Sequence, residues 1–343
     1  MKIEVGGRAI GGGAPVFVIA EIGTNFSGID QAAEMIQVAA QAGADAVKFQ
    51  TYRAETVALP GAMFTLEDGS QISQYEFFKA RELSRDAHVE LKRYAEANGV
   101  LFFSTPGHYE DVRLLEEIGV PLYKTGSDDL TNCPFLAHVA GLGKPMIVST
   151  GMCTLGEVER AVAAIRGAGN EQLVLLHCVV SYPASPAHAN LRAMDTLRQA
   201  FGAPVGFSDH CQGSLAAVLS VGLGAVAIEK HLTLDRSAGG PDNDVACEPG
   251  ELKGYVADIR VAESALGTGR KEILETERPW RAAARKSIAA SRDIAQGEEI
   301  RPEMLAIKRP GTGLHPHCLE LVVGRRARVA LRADQLVSLD HLC

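Results

Sequence analysis

The sequence predicts an α/β fold, a (β/α)₈ (TIM) barrel followed by a small β-rich domain, and three observations lead there. The chain has 343 residues, too many for one small domain and suited to a barrel with an appendage. Short apolar runs alternate with amphipathic segments through eight units. Polar side chains recur at the C-terminal end of each run, the end where barrels build their sites.

The apolar runs are VFVIAEIG from Val16, AVKFQTY from Ala46, LFFSTPG from Leu101 and LYKTGS from Leu122. They continue with PMIVSTG from Pro145, LVLLHCV from Leu173, PVGFSDH from Pro204 and AVAIEKHLT from Ala225. Segments such as DQAAEMIQVAAQAG, LGEVERAVAAIRGAG and GELKGYVADIRVAESALG lie between them. Their apolar residues recur at three and four spacing and they often end in glycine, as helices do. A doubly wound sheet is disfavoured because no G-x-G-x-x-G follows the first run.

The barrel is expected over 1–267. One interval inside it, of about thirty residues from Arg53 through EFFKARELS, is too long for an ordinary connection. It reads as a lid over the mouth, or as a plain insertion. A charged linker with the single tryptophan, Trp280, occupies 268–284. From 285 to 343 short β-like runs with turns (SIAASRDIAQGEEI, MLAIKRPGTGLHP, RRARVALRADQLVSL) predict a separate domain.

A net charge of −8 argues against a nucleic-acid partner, while leaving room for a local lysine cluster that binds an anion. Seven scattered cysteines without a C-x-x-C pair read as reduced, cytoplasmic thiols. The N-terminus has no apolar signal core and no stretch approaches a membrane span, so no membrane association is expected.

The polar residues at the run ends are Glu21, Lys48 with Gln50, Ser104 with Thr105, and Lys124 with Ser127. The series continues with Ser149 and Thr150, His177, Ser208 with His210, and Glu229 with His231. Burying such groups costs on the order of several kcal/mol unless they pair or bind something. Residues two apart on a strand share a face, so Lys48 and Gln50, Ser208 and His210, and Glu229 and His231 each point together. If those faces line the lumen, His210 and His231 converge from neighbouring strands. Two neutral imidazoles suit Mn²⁺, Mg²⁺, Co²⁺ or Zn²⁺, with Asp209 and Glu229 behind them as orienting groups. The bland alternative is a pair of satisfied core histidines.

Lys48 and Lys124, with Ser104, Thr105, Ser127, Ser149 and Ser208, offer the converging cations and hydroxyls that a phosphate wants. Lys124 could instead be a Schiff-base nucleophile, or pair with Asp128, Asp129 or Glu21. The turn GGPDND at 239–244 either brings Asp242 to the mouth or is a surface turn. KRPGTG, Lys308 to Gly313, reads locally as a solvated basic loop.

The words FVIAEIGTN, AGADAVKFQTY, STPG, YKTGSDDLTN, PMIVSTGM, LLHCVVSYP, VGFSDH and GAVAIEKHLTLDRSAGGPD resemble the sialic acid synthase (N-acetylneuraminate synthase) family in order and spacing. The tail, RKSIAASRDIAQGEEI then MLAIKRPGTG, resembles that family's C-terminal antifreeze-like (SAF) domain. The resemblance implies a domain-swapped homodimer that condenses phosphoenolpyruvate with N-acetylmannosamine, a related hexosamine or its 6-phosphate. The product would be a nine-carbon α-keto acid plus phosphate. It implies a divalent metal, Mn²⁺ or Mg²⁺, on His210 and His231. By motif, Lys48, Thr105, Lys124, Ser127, Ser149 and Ser208 match phosphoenolpyruvate binders. Glu21, Gln50, Asp129, Tyr182, Glu229 and Asp242 match positions around the sugar and the reacting carbons, with Glu21, Glu229 and Asp242 the candidate catalytic carboxylates. Arg309 of KRPG matches an arginine that reaches the partner subunit's active site.

Three positions depart from the family. Phe26 stands where NH is usual, Asn243 where PDH is usual, and Val180 where Asn or Ser often follows HC. The departures predict a non-standard acceptor, such as a legionaminic-type, deaminated or otherwise modified sugar. Two rival readings are a Schiff-base pyruvate aldolase or lyase using Lys124 or Lys230, and a non-catalytic sugar-binding relative.

Overall fold

Each of the eight apolar runs forms a strand: β1 Phe17–Gly23, β2 Ala46–Thr51, β3 Leu101–Pro106, β4 Tyr123–Thr125, β5 Met146–Ser149, β6 Leu173–Cys178, β7 Val205–Asp209 and β8 Ala227–His231. The structure, a computed structural model, describes residues 1–65, 69–238 and 242–343. The strands make one parallel sheet in the order β3-β2-β1-β8-β7-β6-β5-β4. Pairing of β1 with β8 brings the chain's first and last barrel strands together, and β3 packs beside β4 at the one seam without a ladder among the described residues. The result is a nearly closed (β/α)₈ barrel.

Helices follow the strands: α1 Ile29–Ala42, α2 Arg85–Ala97, α3 Tyr109–Ile118, α4 Cys133–Ala140, α5 Leu155–Gly167, α6 Ala193–Phe201, α7 Leu215–Gly222 and α8 Pro249–Leu266. Their apolar stripes face the sheet. On α1, for example, Ala32, Met35, Ile36 and Ala39 are buried at three and four spacing. Thr154 and Glu157 form a reciprocal capping box at the start of α5. Left-handed glycines, Gly43, Gly119 and Gly202, stop α1, α3 and α6. Burial of each such Leu, Ile or Met contributes about 1.5–3 kcal/mol.

Strand register puts the polar residues on one rim. His231 is opposite Glu21, Glu21 opposite Lys48, Gln50 opposite Thr105, and Ser208 opposite Glu229. Gly206 lets β7 and β8 approach, since a Cβ there would lie 2.3 Å from the Ala227 carbonyl oxygen.

The first eleven residues form a hairpin, Lys2–Val5 with Arg8–Gly11, that buries Ile3, Val5 and Ile10. Arg8 pairs with Asp45 at 2.6 Å and donates to the Gly99 carbonyl at 2.7 Å. Asp45 also accepts from the Val18 N–H at 2.8 Å and from Arg260 of α8 at 3.2 Å. These partners lie at the N-terminal ends of β1, β2 and β3, so the hairpin sits at the end of the barrel opposite the polar rim.

The long interval after β2 has structure of its own. A helical turn Ala54–Val57, a hairpin of Met63–Thr65 with Gln71–Ser73, and a helix Gln74–Lys79 fill it; residues 66–68 lie outside the described residues. Phe64, Phe77 and Phe78 meet edge to face, and Phe78 meets Tyr52 just after β2 in the same way at 5.0 Å. Of the GGPDND turn, 239–241 lie outside the described residues, and a short turn Asn243–Val245 follows Asp242.

The chain divides into two units, Met1–Gly267 and Thr268–Cys343. In the second, Ser287–Ala290 pairs antiparallel with Leu305–Lys308. Ile288, Ile294, Ile300, Met304, Val322, Leu331 and Val337 form its own core. Trp280 is exposed on the helix Arg278–Ala284 that precedes these strands. All seven cysteines are unpaired. Among the described residues no helix is long and apolar enough to cross a membrane.

Candidate active site

Inward-facing residues of the strands and the loops beyond them enclose a cavity of about 240 Å³ at the C-terminal mouth of the barrel. Glu21 of β1, Lys48 and Gln50 of β2, Thr105 of β3 and Lys124 of β4 line it, as do Ser149 of β5, Ser208 of β7, and Glu229 and His231 of β8. Ser127, Tyr182, His210 and Asp242 come from the adjoining loops. The shared faces expected for Lys48 and Gln50, Ser208 and His210, and Glu229 and His231 therefore all open onto one space.

The charges interleave. Lys48 Nζ lies 3.0 Å from Glu21 and 3.7 Å from Glu229, and donates to Thr105 Oγ1 at 3.2 Å. Lys124 Nζ lies 3.9 Å from Glu229 and donates to Ser149 Oγ at 2.6 Å and to the Thr125 carbonyl at 2.9 Å. Ser208 Oγ donates to Glu229 Oε1 at 2.9 Å, and Gln50 Nε2 to Glu21 Oε1 at 3.3 Å. Gly23 makes room for this arrangement: a Cβ there would lie 3.0 Å from Glu21 Oε1. One oxygen on each glutamate, Oε2, is buried without a hydrogen-bond partner and so can receive one from a ligand or water.

Environment separates the two glutamates. Burial raises Glu21 to about 7 against the pull of Lys48, and Glu229 adds to the rise. Burial also opposes charge on Glu229, yet Lys124 and Lys48 hold it down at about 2. Such a split makes one carboxyl a proton carrier and the other a fixed anion. Burial pulls Lys48 down, but Glu21 and Glu229 outweigh it and hold the amine above its usual range. Lys124 stays below its usual range because burial exceeds the restoring effect of Glu229. Asp242 is raised to about 6 by burial, with Lys48 opposing.

The imidazoles of His210 and His231 lie 5.4 Å apart between ring centres, with Tyr182 4.4 Å from the first and 5.9 Å from the second. His210 Nδ1 donates to the Val179 carbonyl at 2.8 Å, which leaves the Nε2 lone pair available. His231 Nδ1 is buried without a partner. Burial depresses both rings, His231 most strongly, with His210 adding to that effect. Two neutral imidazoles with an orphaned buried nitrogen fit a divalent cation. They would supply two ligands. Among the described residues no group of three or more His, Cys, Asp or Glu is placed to hold a metal ion, so further ligands would be substrate oxygens or water.

Several expected groups lie elsewhere. Ser104 bonds to Thr51 at 2.7 Å, and Thr51 to His88 of α2 at 2.8 Å, on the helix side of the barrel. Thr150 donates to the Leu176 carbonyl, and His177 pairs with the Ala189 carbonyl and stacks on Phe207. Cys178, one residue on, faces the cavity instead, as do Asp128, Met152 and Val180. Asp129 bonds to Asn132 at 3.1 Å, and Asp128 takes the place on the cavity wall. Asp209 does not orient either imidazole: it accepts from Tyr255 of α8 at 2.8 Å and sits 3.7 Å from Lys230. Lys230, 1% exposed and bonded to the Cys211 carbonyl, is on the outer face of the barrel wall and unavailable as a Schiff-base nucleophile. Arg309 is exposed directly after Leu305–Lys308 of the second unit.

A model of the NeuB family matches residues 35–271 and one of the SAF domain matches 285–342. The chain belongs to the NeuB family. An N,N'-diacetyllegionaminic acid synthase from Legionella pneumophila is 41% identical, the match covering 95% of this chain and 94% of that one. The human N-acetylneuraminate-9-phosphate synthase is 34% identical over 96% of this chain and 94% of its own. The N-acetylneuraminic acid synthetase of Leptospira borgpetersenii superposes with a TM-score of 0.73 at 35% identity, covering 82% of this chain and 95% of that one. This NeuB protein, with its terminal SAF domain, is thus an enzyme, a transferase of the sialic acid synthase type. Its departures from the family pattern are packed as wall. Phe26 packs edge to face on Phe49 at 5.9 Å, Asn243 is buried, and Val180 borders the mouth.

Lys48 and Lys124 are the two lysines on the cavity wall. Lys124→Met should weaken inorganic phosphate binding by tenfold or more, matching the ~1.5–3 kcal/mol of a charge-assisted hydrogen bond. Calorimetric titration of the folded variant checks this.

Proposed function

We propose that this NeuB enzyme condenses phosphoenolpyruvate with an N-acetylmannosamine-like hexosamine, giving a nine-carbon α-keto acid and phosphate, and that it needs a divalent metal. The carrying observation is the convergence of two buried lysines and three serines with two neutral imidazoles in one cavity. Lys48, Lys124, Ser127, Ser149, Ser208 and Thr105 hold the phosphate and carboxylate of phosphoenolpyruvate. His210 and His231 hold Mn²⁺ or Mg²⁺, with Co²⁺ a further fit. When bound, the ion supplies Lewis-acid polarisation of the acceptor's aldehyde oxygen.

The chain's own residues then do the following. The phosphate cradle aims C3 of phosphoenolpyruvate at the aldehyde carbon, where the new C–C bond forms. Positive charge develops at C2, beside the fixed anion Glu229. Glu21, poised near neutrality, takes a proton from the water that adds at C2. The proton held by Glu21 passes to the former aldehyde oxygen; as the C2 hydroxyl collapses to the ketone, the C2–O bond to phosphate breaks, the hydroxyl proton leaves with the phosphate, and the lysines retain that leaving group. Gln50, Tyr182, Asp242 and Asp128 face the remaining space for the sugar; Asp129 stands behind them. Phe26 and Asn243, and the relative that makes a diacetylated acid, favour a legionaminic-type acceptor over plain N-acetylmannosamine. The protein acts as a cytoplasmic, domain-swapped homodimer in which Arg309 of one protomer reaches its partner's cavity.

With Mn²⁺ present, phosphate release from phosphoenolpyruvate should depend on an added hexosamine and stop in chelator. His231→Ala should abolish turnover in a folded protein, and full activity in chelator would refute the metal. Lysine 124 has the depressed amine that a Schiff base would use, and borohydride trapping of a pyruvate adduct without metal would favour that rival. The swapped dimer is tested by mixing two inactive variants, Lys124→Met and Arg309→Ala. Subunit exchange should restore activity, because one site per mixed dimer combines an intact barrel with an intact arginine; no recovery after proven exchange contradicts it.

A further inference from the structure

A second cavity, of about 150 Å³, adjoins the first on the β1–β8 side of the rim. Its walls include near neighbours of residues that line the first: Thr24 lies three after Glu21, Thr233 two after His231, and Asn243 next to Asp242. That volume is several times what a single water needs. None of the groups assigned to phosphoenolpyruvate or metal enters it.

Two features give this space a chemical character. Phe26 and Phe77 provide apolar walls from opposite sides, one from the β1–α1 loop and one from the insert after β2. Arg81, from the same insert, lies over the Phe77 ring at 4.0 Å and donates to the Phe77 carbonyl at 3.2 Å. Among the described residues it has no carboxylate within ion-pair distance. Its neighbours are partly engaged: the Asn25 amide donates to the Leu232 carbonyl at 3.1 Å, and the Gln31 side-chain oxygen accepts from the Ser27 N–H at 2.7 Å.

We infer that the second cavity receives an acylamino group at the far end of the acceptor sugar. Its carbonyl oxygen accepts from Arg81, and its alkyl end rests on Phe26 and Phe77. A phosphate would also present oxygen acceptors, but it wants several converging cations, and this pocket has one beside two phenyl walls. The inference rests on the synthase reading above.

The test compares three acceptors in the full-length enzyme with Mn²⁺ and phosphoenolpyruvate: a hexose bearing two acetamido groups, N-acetylmannosamine, and N-acetylmannosamine 6-phosphate. The wild type should prefer the first. Arg81→Met and Arg81→Gln should each reduce the kcat/KM ratio of the first to the second by about tenfold, through acceptor KM, with phosphoenolpyruvate KM unmoved. The Arg81→Gln variant keeps a polar side chain at that position, so it remains informative if Arg81→Met folds poorly. An unchanged ratio in both variants overturns the inference. So does a preference for the 6-phosphate that Arg81→Met abolishes, which would make the pocket a phosphate site. Failure of the synthase reading itself looks different: the wild type would release no phosphate with any of the three sugars.

Discussion

Glu229 lies within ion-pair reach of two buried lysines at once, and the mouth of the barrel is arranged around that carboxylate. Lys48 stands 3.7 Å away and Lys124 3.9 Å, while Ser208 donates at 2.9 Å. Removing three charges from water is expensive, and their mutual attraction only partly offsets it. A lysine or glutamate deleted here leaves an uncompensated charge. Such a cluster is poor value as a stabilising device and makes sense as a preformed seat for an anionic ligand, whose phosphate completes what Glu229 only half neutralises. The parallel ladder makes the seat possible. Each strand contributes its charge from the same rim, with Ser208 across from Glu229 and Lys48 across from Glu21.

Much of this was legible in the sequence because strand parity is a strict rule. Residues two apart share a face, and Glu229 with His231, Ser208 with His210, and Lys48 with Gln50 obeyed it. Parity also explains the errors. A choice displaced by one residue lands on the other side of the wall: His177 faces the helices while Cys178 faces the cavity, and Ser104 turns outward while Thr105 turns in. Loops carry no such rule, so Asp129 could not be told from Asp128. Asp209 was misread for a related reason. It flanks two lumen residues and therefore points away, to Tyr255 and Lys230. The N-terminal hairpin left little trace in the sequence, since its strands are four residues each and half exposed.

The insert after β2 links the site to specificity. Its aromatic residues pack on Tyr52, and its Arg81 faces a cavity that also contains both Phe26 and Asn243. The chemistry-bearing residues of the first cavity are of the kinds the reaction needs for any acceptor. Of the three departures, Phe26 and Asn243 line the second, while Val180 borders the first. One barrel can in this way keep a fixed phosphoenolpyruvate seat and vary the sugar through a neighbouring wall, without disturbing the buried charges around Glu229.

The account depends most on the lysines holding phosphate while water attacks the adjacent carbon. Phosphoenolpyruvate labelled with oxygen-18 at the bridging position tests this directly, by mass spectrometry of both products after one turnover. C–O cleavage predicts that the label leaves in the phosphate. Label found in the α-keto acid would mean that the P–O bond breaks, and would contradict the account.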